Sequence, residues 1–171
     1  IEELRRVHIE DLLGRAPVSL DWPRIRSGLM GKVILVTGAG GSIGSELCQQ
    51  IADLEPAALI LFENSEFNLY SVELNLRERF PGLSLHAHLG DVTDKMATER
   101  VLEKYCPQMV FHAAAYKHVP MLETQVREAV RNNVIGTQVV ANAADKNGCA
   151  VFVLISTDKA VNPASVMGAT K

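Results

Sequence analysis

From Lys32 onward, short runs rich in β-branched residues alternate strictly with helical stretches, and this alternation constrains the fold more than any other feature. The strand candidates are KVILVT (32–37), AALILF (57–62), LSLHAHLG (83–90), QMVFHAA (108–114) and CAVFVLIS (149–156). Helical stretches separate them, the last running to Asn147. Strands that follow one another through helices pair in parallel with right-handed crossovers, which predicts an α/β, doubly wound parallel sheet. The expected strand order is 3-2-1-4-5. Residues 1–30 read as a linker preceding the domain, a short helix followed by a stretch in which Pro17, Pro23, Gly28 and Gly31 interrupt periodicity. Gly136, inside the last long helix, costs about 1 kcal/mol against Ala, so it marks either close packing or a bend.

Composition narrows the class. At 47% hydrophobic and 22% charged residues the chain can bury an ordinary core. A net charge of -3 with scattered Lys and Arg gives no footprint for nucleic acid. Cys48, Cys106 and Cys149 lie far apart with no CxxC pair, which favours free thiols over a disulfide frame or a zinc site. His86 and His88 alternate along the third strand with no further ligands at metal spacing, so no metal is expected. No run of about 18 apolar residues is present. The chain begins without Met and stops at Lys171 in an apparent helix start, so it reads as a piece of something longer.

Directly after the first strand, Gly38, Gly41 and Gly44 stand three apart in TGAGGSIG. Such glycines let the backbone turn tightly against a pyrophosphate while the amides opening the next helix, around Ser42 and Ile43, present positive charge to it. Between a strand and a helix, this spacing predicts dinucleotide binding. Glu63, nineteen residues past Gly44 at the end of the second strand, can accept both hydroxyls of the adenosine ribose or belong to a helix cap with Asn64 and Ser65. Its charge opposes a 2′-phosphate and no Lys or Arg follows closely, which favours NAD over NADP. Asp91, with Val92 after it, can reach the adenine edge or serve as a turn residue. Ala113, Ala114 and Ala115 leave room for the middle of the cofactor. Lys117 and His118, on the edge of the sheet where ligands bind in such folds, are candidate substrate contacts, with a solvated loop as the plain alternative.

The ordered motifs TGAGGSIG, GDVTD, HAAAYKHVP, NNVIGT, STDKAVNP and MGATK resemble the extended short-chain dehydrogenase/reductases. Within them they resemble the UDP-N-acetylglucosamine 4,6-dehydratases of bacterial polysaccharide biosynthesis. The likeness covers Lys32 to Lys171, and Thr157-Asp158-Lys159 followed by Met167-x-x-x-Lys171 is its most specific part. It implies a Rossmann-type NAD(P)-binding domain over 31–171, cut off before the C-terminal substrate-binding part, with a UDP-N-acetylhexosamine as substrate. The segment RRVHIEDLLGRAPVSL resembles the linker of long members, which carry a membrane region and another domain ahead of the catalytic part. It implies a protein held at the cytoplasmic face of the bacterial inner membrane; a homo-oligomer is expected of the full-length protein.

That family oxidises C4 of the sugar, eliminates water across C5 and C6 and returns the hydride to C6. The resemblance implies Lys159 as the base for the C5 proton, Asp158 as the acid for the leaving hydroxyl and Thr157 as partner of the C4 oxygen. A lysine serves as a base only where desolvation or nearby cations favour its neutral form. Lys171 is expected to hold the nicotinamide ribose, and Asn133 either braces the active-site segment, as the resemblance implies, or is an ordinary helix-surface residue. Most short-chain dehydrogenases have Tyr where this chain has Met167, which cannot exchange a proton. Met there matches the long, C5-retaining dehydratases, and core packing is the other reading of the residue. A nucleotide-sugar epimerase or reductase and a non-catalytic NAD-binding module are the rival functions.

Overall fold

The computed structural model describes residues 20–171, so the helix expected near the start of the chain lies outside the described residues. The described elements begin with α1 (Trp22–Leu29), followed by β1 (Val33–Thr37), α2 (Ser42–Asp53), β2 (Ala58–Glu63), α3 (Glu66–Arg79) and β3 (Leu85–Leu89). Then come α4 (Lys95–Tyr105), β4 (Met109–His112), α5 (Val119–Thr124), α6 (Val126–Ala129), a π-helical turn (Val130–Ile135) and α7 (Gly136–Lys146). The chain closes with β5 (Val151–Leu154), a 3-10 turn (Asp158–Ala160) and α8 (Val166–Ala169).

All four strand pairings are parallel and the order is β3-β2-β1-β4-β5, as the alternation predicts. The central strands carry near-continuous apolar runs because both faces of the sheet are covered. On one face Ile34, Val36, Leu59 and Leu61 meet Cys48 and Ile51 of α2 and Leu69, Val72 and Leu76 of α3. On the other, Leu35, Ile60 and Val110 meet Val101 and Leu102 of α4 and Val140, Ala143 and Ala144 of α7. Burial pushes the Cys48 thiol up to about 12, so it is an inert core residue.

Residues 22–29 correct the linker reading. Asp21 caps α1, its side chain accepting from the Arg24 amide at 3.1 Å, and Pro23 stands in the first turn. There its missing N–H and fixed φ suit a helix start rather than a break. Leu29 then packs into the core and Ile25 packs against it, so the domain starts before residue 31. The helix expected to run unbroken to Asn147 changes its winding over Val130–Ile135. Gly136, at the exit of that turn, is a close-packing glycine: a Cβ would stand 2.8 Å from a methyl of Val92. No helix among the described residues is long and apolar enough to cross a membrane, and no group of acidic, His or Cys side chains there is placed to hold a metal.

Candidate active site

The glycine loop joins β1 to α2 at the carboxyl edge of the sheet. Gly38 has φ +64°, and a Cβ on it would approach the backbone of Ala113 and Ala114 to 2.6–2.9 Å. The loop thus lies against the chain leaving β4, and glycine is required at its first position. Gly41 caps α2 with no side-chain hydrogen bond, which leaves the first amides of the helix for another acceptor. Ser42 and Ile43 are exposed there, and Gly44 is buried beneath the loop.

A cleft of about 140 Å³ opens beside this loop, lined among others by Gly38, Gly41, Glu63, Val92 and Ala113 to Ala115. These residues fit a dinucleotide: a turn that admits a pyrophosphate, an uncapped helix start, small residues under the cofactor's middle and a carboxylate where a ribose lies. Glu63 has a second task. One of its oxygens accepts from the amides of Asn64 and Ser65, both at 3.0 Å, and the other accepts from Gly40 at 2.9 Å. With three amides on a buried carboxylate, the open acceptor capacity sits mainly on the oxygen facing Gly40. The carboxylate therefore keeps one well-placed open acceptor position, where the sequence alone leaves both oxygens free. Asp91 accepts from the Thr93 amide at 2.8 Å, the turn role its position suggested.

The second half of the site lies beyond β5. Thr157 donates to Asp158 at 2.9 Å, Lys159 Nζ stands 3.6 Å from the same carboxylate oxygen, and the Lys159 amide reaches Thr157 Oγ1 at 3.4 Å. The Thr157 hydroxyl first, and the Lys159 charge after it, hold the Asp158 carboxyl below its ordinary range. Asp158 and Lys159 are exposed, so the described residues alone do not supply the desolvation that a lysine base needs. Lys171 Nζ donates to the Ile155 carbonyl at 2.6 Å, and burial lowers its pKa.

Met167 points away from these groups. It is buried against Leu122 and Ala129, so its side chain locks α8 onto α5 and α6. Lys117 and His118 line a neighbouring cleft of about 550 Å³ that shares Ala115 and Tyr116 with the nucleotide cleft. No hydrogen bond or ion pair among the described residues joins them to Thr157, Asp158 or Lys159.

Asn133 is buried in the π turn. Its Oδ1 accepts from the Tyr116 amide at 2.8 Å, while its Nδ2 donates to the Tyr116 carbonyl at 3.0 Å and to Thr170 Oγ1 at 3.1 Å. It thus ties the loop after β4 to the residue before Lys171. Asn132 beside it donates to Asn133 Oδ1 at 2.9 Å and lines the nucleotide cleft. Asn132, Gly40, Gly168 and His112 lie inside the motifs that carry the resemblance, but the sequence alone assigns none of them a role.

A parallel sheet in this order, with a glycine loop and a carboxylate at its carboxyl edge, defines a Rossmann-type domain of the short-chain dehydrogenase kind. Within that class the chain belongs to the polysaccharide biosynthesis protein family, whose model matches residues 34–171. It is 51% identical over 170 residues to the "Probable polysaccharide biosynthesis protein EpsC" of Bacillus subtilis, covering 99% of this chain and 28% of that protein. It is 33% identical to a "UDP-N-acetylglucosamine 4,6-dehydratase (inverting)" of Campylobacter jejuni, over 82% of this chain and 41% of that one. A "UDP-glucose 4-epimerase" of Rickettsia canadensis is also 33% identical, over 82% and 40%.

Among solved structures, Pen from Bacillus thuringiensis superposes with a TM-score of 0.77 at 29% identity, over 84% of this chain and 43% of that one. A UDP-glucose-4-epimerase from Stenotrophomonas maltophila, solved with NAD bound, gives 0.70 at 18%, over 82% and 45%, a likeness of fold alone. The chain therefore spans under half the length of each of these proteins.

Proposed function

We propose that this chain is the nicotinamide-cofactor domain of a nucleotide-sugar 4,6-dehydratase that acts on a UDP-N-acetylhexosamine, in the C5-retaining long form. The observation that carries the reading is the cluster of Thr157, Asp158 and Lys159 held together beyond β5, at the edge of the sheet that carries the glycine loop. An epimerase has no elimination to perform and no use for a separate acid and base at this place. Relatives of both kinds stand at the same identity, and it is the pair Asp158 and Lys159 that favours the dehydratase reading.

In this reading the cleft by Gly38, Gly41 and Glu63 holds NAD, with NADP disfavoured by the Glu63 charge. When bound, the nicotinamide supplies a hydride acceptor and donor. The residues of the chain then divide the proton work. Lys171 orients the nicotinamide ribose and adds positive charge near the C4 oxygen, to which Thr157 hydrogen-bonds. Lys159, desolvated once the sugar covers it, takes the C5 proton made acidic by the C4 ketone. Asp158 is held as a carboxylate in the free site, so to protonate the C6 hydroxyl it must first take up a proton in the closed complex. Met167 contributes by packing, and Lys117 and His118 face the substrate side. The linker resemblance extends the reading to a full-length protein at the cytoplasmic face of the inner membrane, which we expect to be a homo-oligomer.

The test is incubation of the full-length protein with UDP-N-acetylglucosamine in deuterated water, followed by mass spectrometry and NMR. Loss of water with deuterium at C5 and retained stereochemistry is expected, and Lys159→Ala and Asp158→Asn should abolish it. Inversion at C5 would undo the long-form assignment. A C4 epimer as product would move the protein to the epimerases, and unchanged substrate would leave a binding module.

A further inference from the structure

His112, the last residue of β4, is fully buried and has no part in the chemistry proposed above. Its ring bridges two hydroxyls: Nδ1 lies 2.6 Å from Thr37 Oγ1 and Nε2 lies 2.9 Å from Thr137 Oγ1. Hydrogen-bond accounting orients the whole chain. Thr137 donates its only proton to the Asn133 carbonyl at 2.6 Å, because a carbonyl can only accept. Toward the ring it must therefore accept, and Nε2 carries a proton. Thr37 is 1% exposed, and no other acceptor for its hydroxyl exists among the described residues, so it donates to Nδ1. The protons run one way, from Thr37 through the ring to Thr137 and on to Asn133.

The two ends of this chain matter. Thr37 immediately precedes Gly38, and Asn133 is the residue whose amide grips both backbone groups of Tyr116 and the hydroxyl of Thr170. We infer that His112, as the Nε2–H tautomer, is a positioning residue that sets the π turn and, through Thr137 and Asn133, fixes the wall of the cofactor cleft at Ala115 and Tyr116. This rests on the cofactor reading of the cleft for its functional consequence, though not for its geometry. Burial lowers the His112 pKa to about 4, with Lys171 adding to the effect, which agrees with a ring that is neutral at pH 7.

The test uses Thr137→Val, which keeps the side-chain shape but removes the hydroxyl, and Thr137→Ser, which restores it, both in the full-length protein. Selective 15N labelling of histidine in the wild type should show Nε2 protonated and Nδ1 bare at pH 7. Thr137→Val should raise hydrogen exchange at the Tyr116 amide and weaken NAD binding about tenfold, the scale of one buried hydrogen bond. Thr137→Ser should recover both, which a loss of packing alone would not produce. A proton on Nδ1, or unchanged Tyr116 exchange in folded Thr137→Val, would overturn the inference. If the wild type bound no NAD, the cofactor reading would fall, while the tautomer and the exchange at Tyr116 would still decide the role of His112.

Discussion

The backbone of Gly168 in α8 lies against the carbonyl oxygen of Lys159, so closely that a Cβ on Gly168 would overlap it. The turn holding Asp158 and Lys159 is thereby seated on the first residues of α8, which Ser165 caps through the Gly168 amide at 3.1 Å. The helix is in turn fixed by Met167 in the apolar cluster with Leu122 and Ala129. The exposed pair Asp158 and Lys159 gains a rigid seat in this way.

Gly168→Ala must push the Lys159 carbonyl away and carry the Asp158–Lys159 turn with it. A misplacement of about 1 Å in a catalytic group can cost on the order of 100-fold in rate. Dehydration by Gly168→Ala should fall by about that factor, while NAD affinity should fall less, since the glycine loop is untouched and only Lys171, three residues on, is displaced. Steady-state kinetics together with titration of NAD measures both. Full activity in the variant would mean that the turn is not seated by α8.

In the proposed reading Glu63 both selects the cofactor and holds the loop. Because its two oxygens accept from Gly40, Asn64 and Ser65, Glu63→Gln must aim an amide N–H₂ at one of those donors. Leaving a buried donor unpaired costs about 1–3 kcal/mol. We expect lower thermal stability, NAD binding weaker by roughly tenfold and no gain of NADP binding, since the variant damages the loop before it relieves repulsion. Calorimetric titration with both nucleotides tests this, and a clean switch to NADP would show that Glu63 serves only to read the ribose.

Thr157 and Asp158 give a direct readout of the site's electrostatics. The Thr157 hydroxyl is the largest influence holding the Asp158 carboxyl down, ahead of the Lys159 charge. Thr157→Val and Lys159→Ala should each raise the Asp158 pKa toward its ordinary value, when followed through the carboxyl carbon by NMR titration. No rise in Thr157→Val would place the control of Asp158 in the ion pair alone.

The sheet and the glycine loop were legible because period, length and turn residues all act locally. KVILVT can only be a buried strand when helices flank it on both sides, and the order of the strands then follows from the crossovers. The positions that escaped are those defined by distant partners. Gly168 is required by a carbonyl nine residues away, Gly40 by Asn68 of α3 ahead of the Glu63 side chain, and His112 by hydroxyls on β1 and α7. Pro23 misled for a different reason, since a proline breaks a helix interior but suits its first turn, and only the Asp21 cap distinguishes the two.

Burial of His112 makes stability depend on acid in a defined direction. Its pKa in the folded protein is about 4 against an ordinary 6.5, so between these values the unfolded chain binds the proton that the folded protein refuses. The stabilisation is complete above pH 6.5, is lost as pH falls through the window down to about 4, and levels off below it. A gap of that size corresponds to about 3 kcal/mol at most. His112→Gln keeps an amide that can reach Thr137 and removes the titrating group. Comparing the two proteins by urea unfolding from pH 7 to pH 4 cancels the carboxylates they share. The advantage of wild type over His112→Gln should shrink by about 3 kcal/mol across that range. Parallel curves would mean that the ring takes up its proton in the folded protein at the same pH as in the unfolded chain, so that burial does not exclude the charged form.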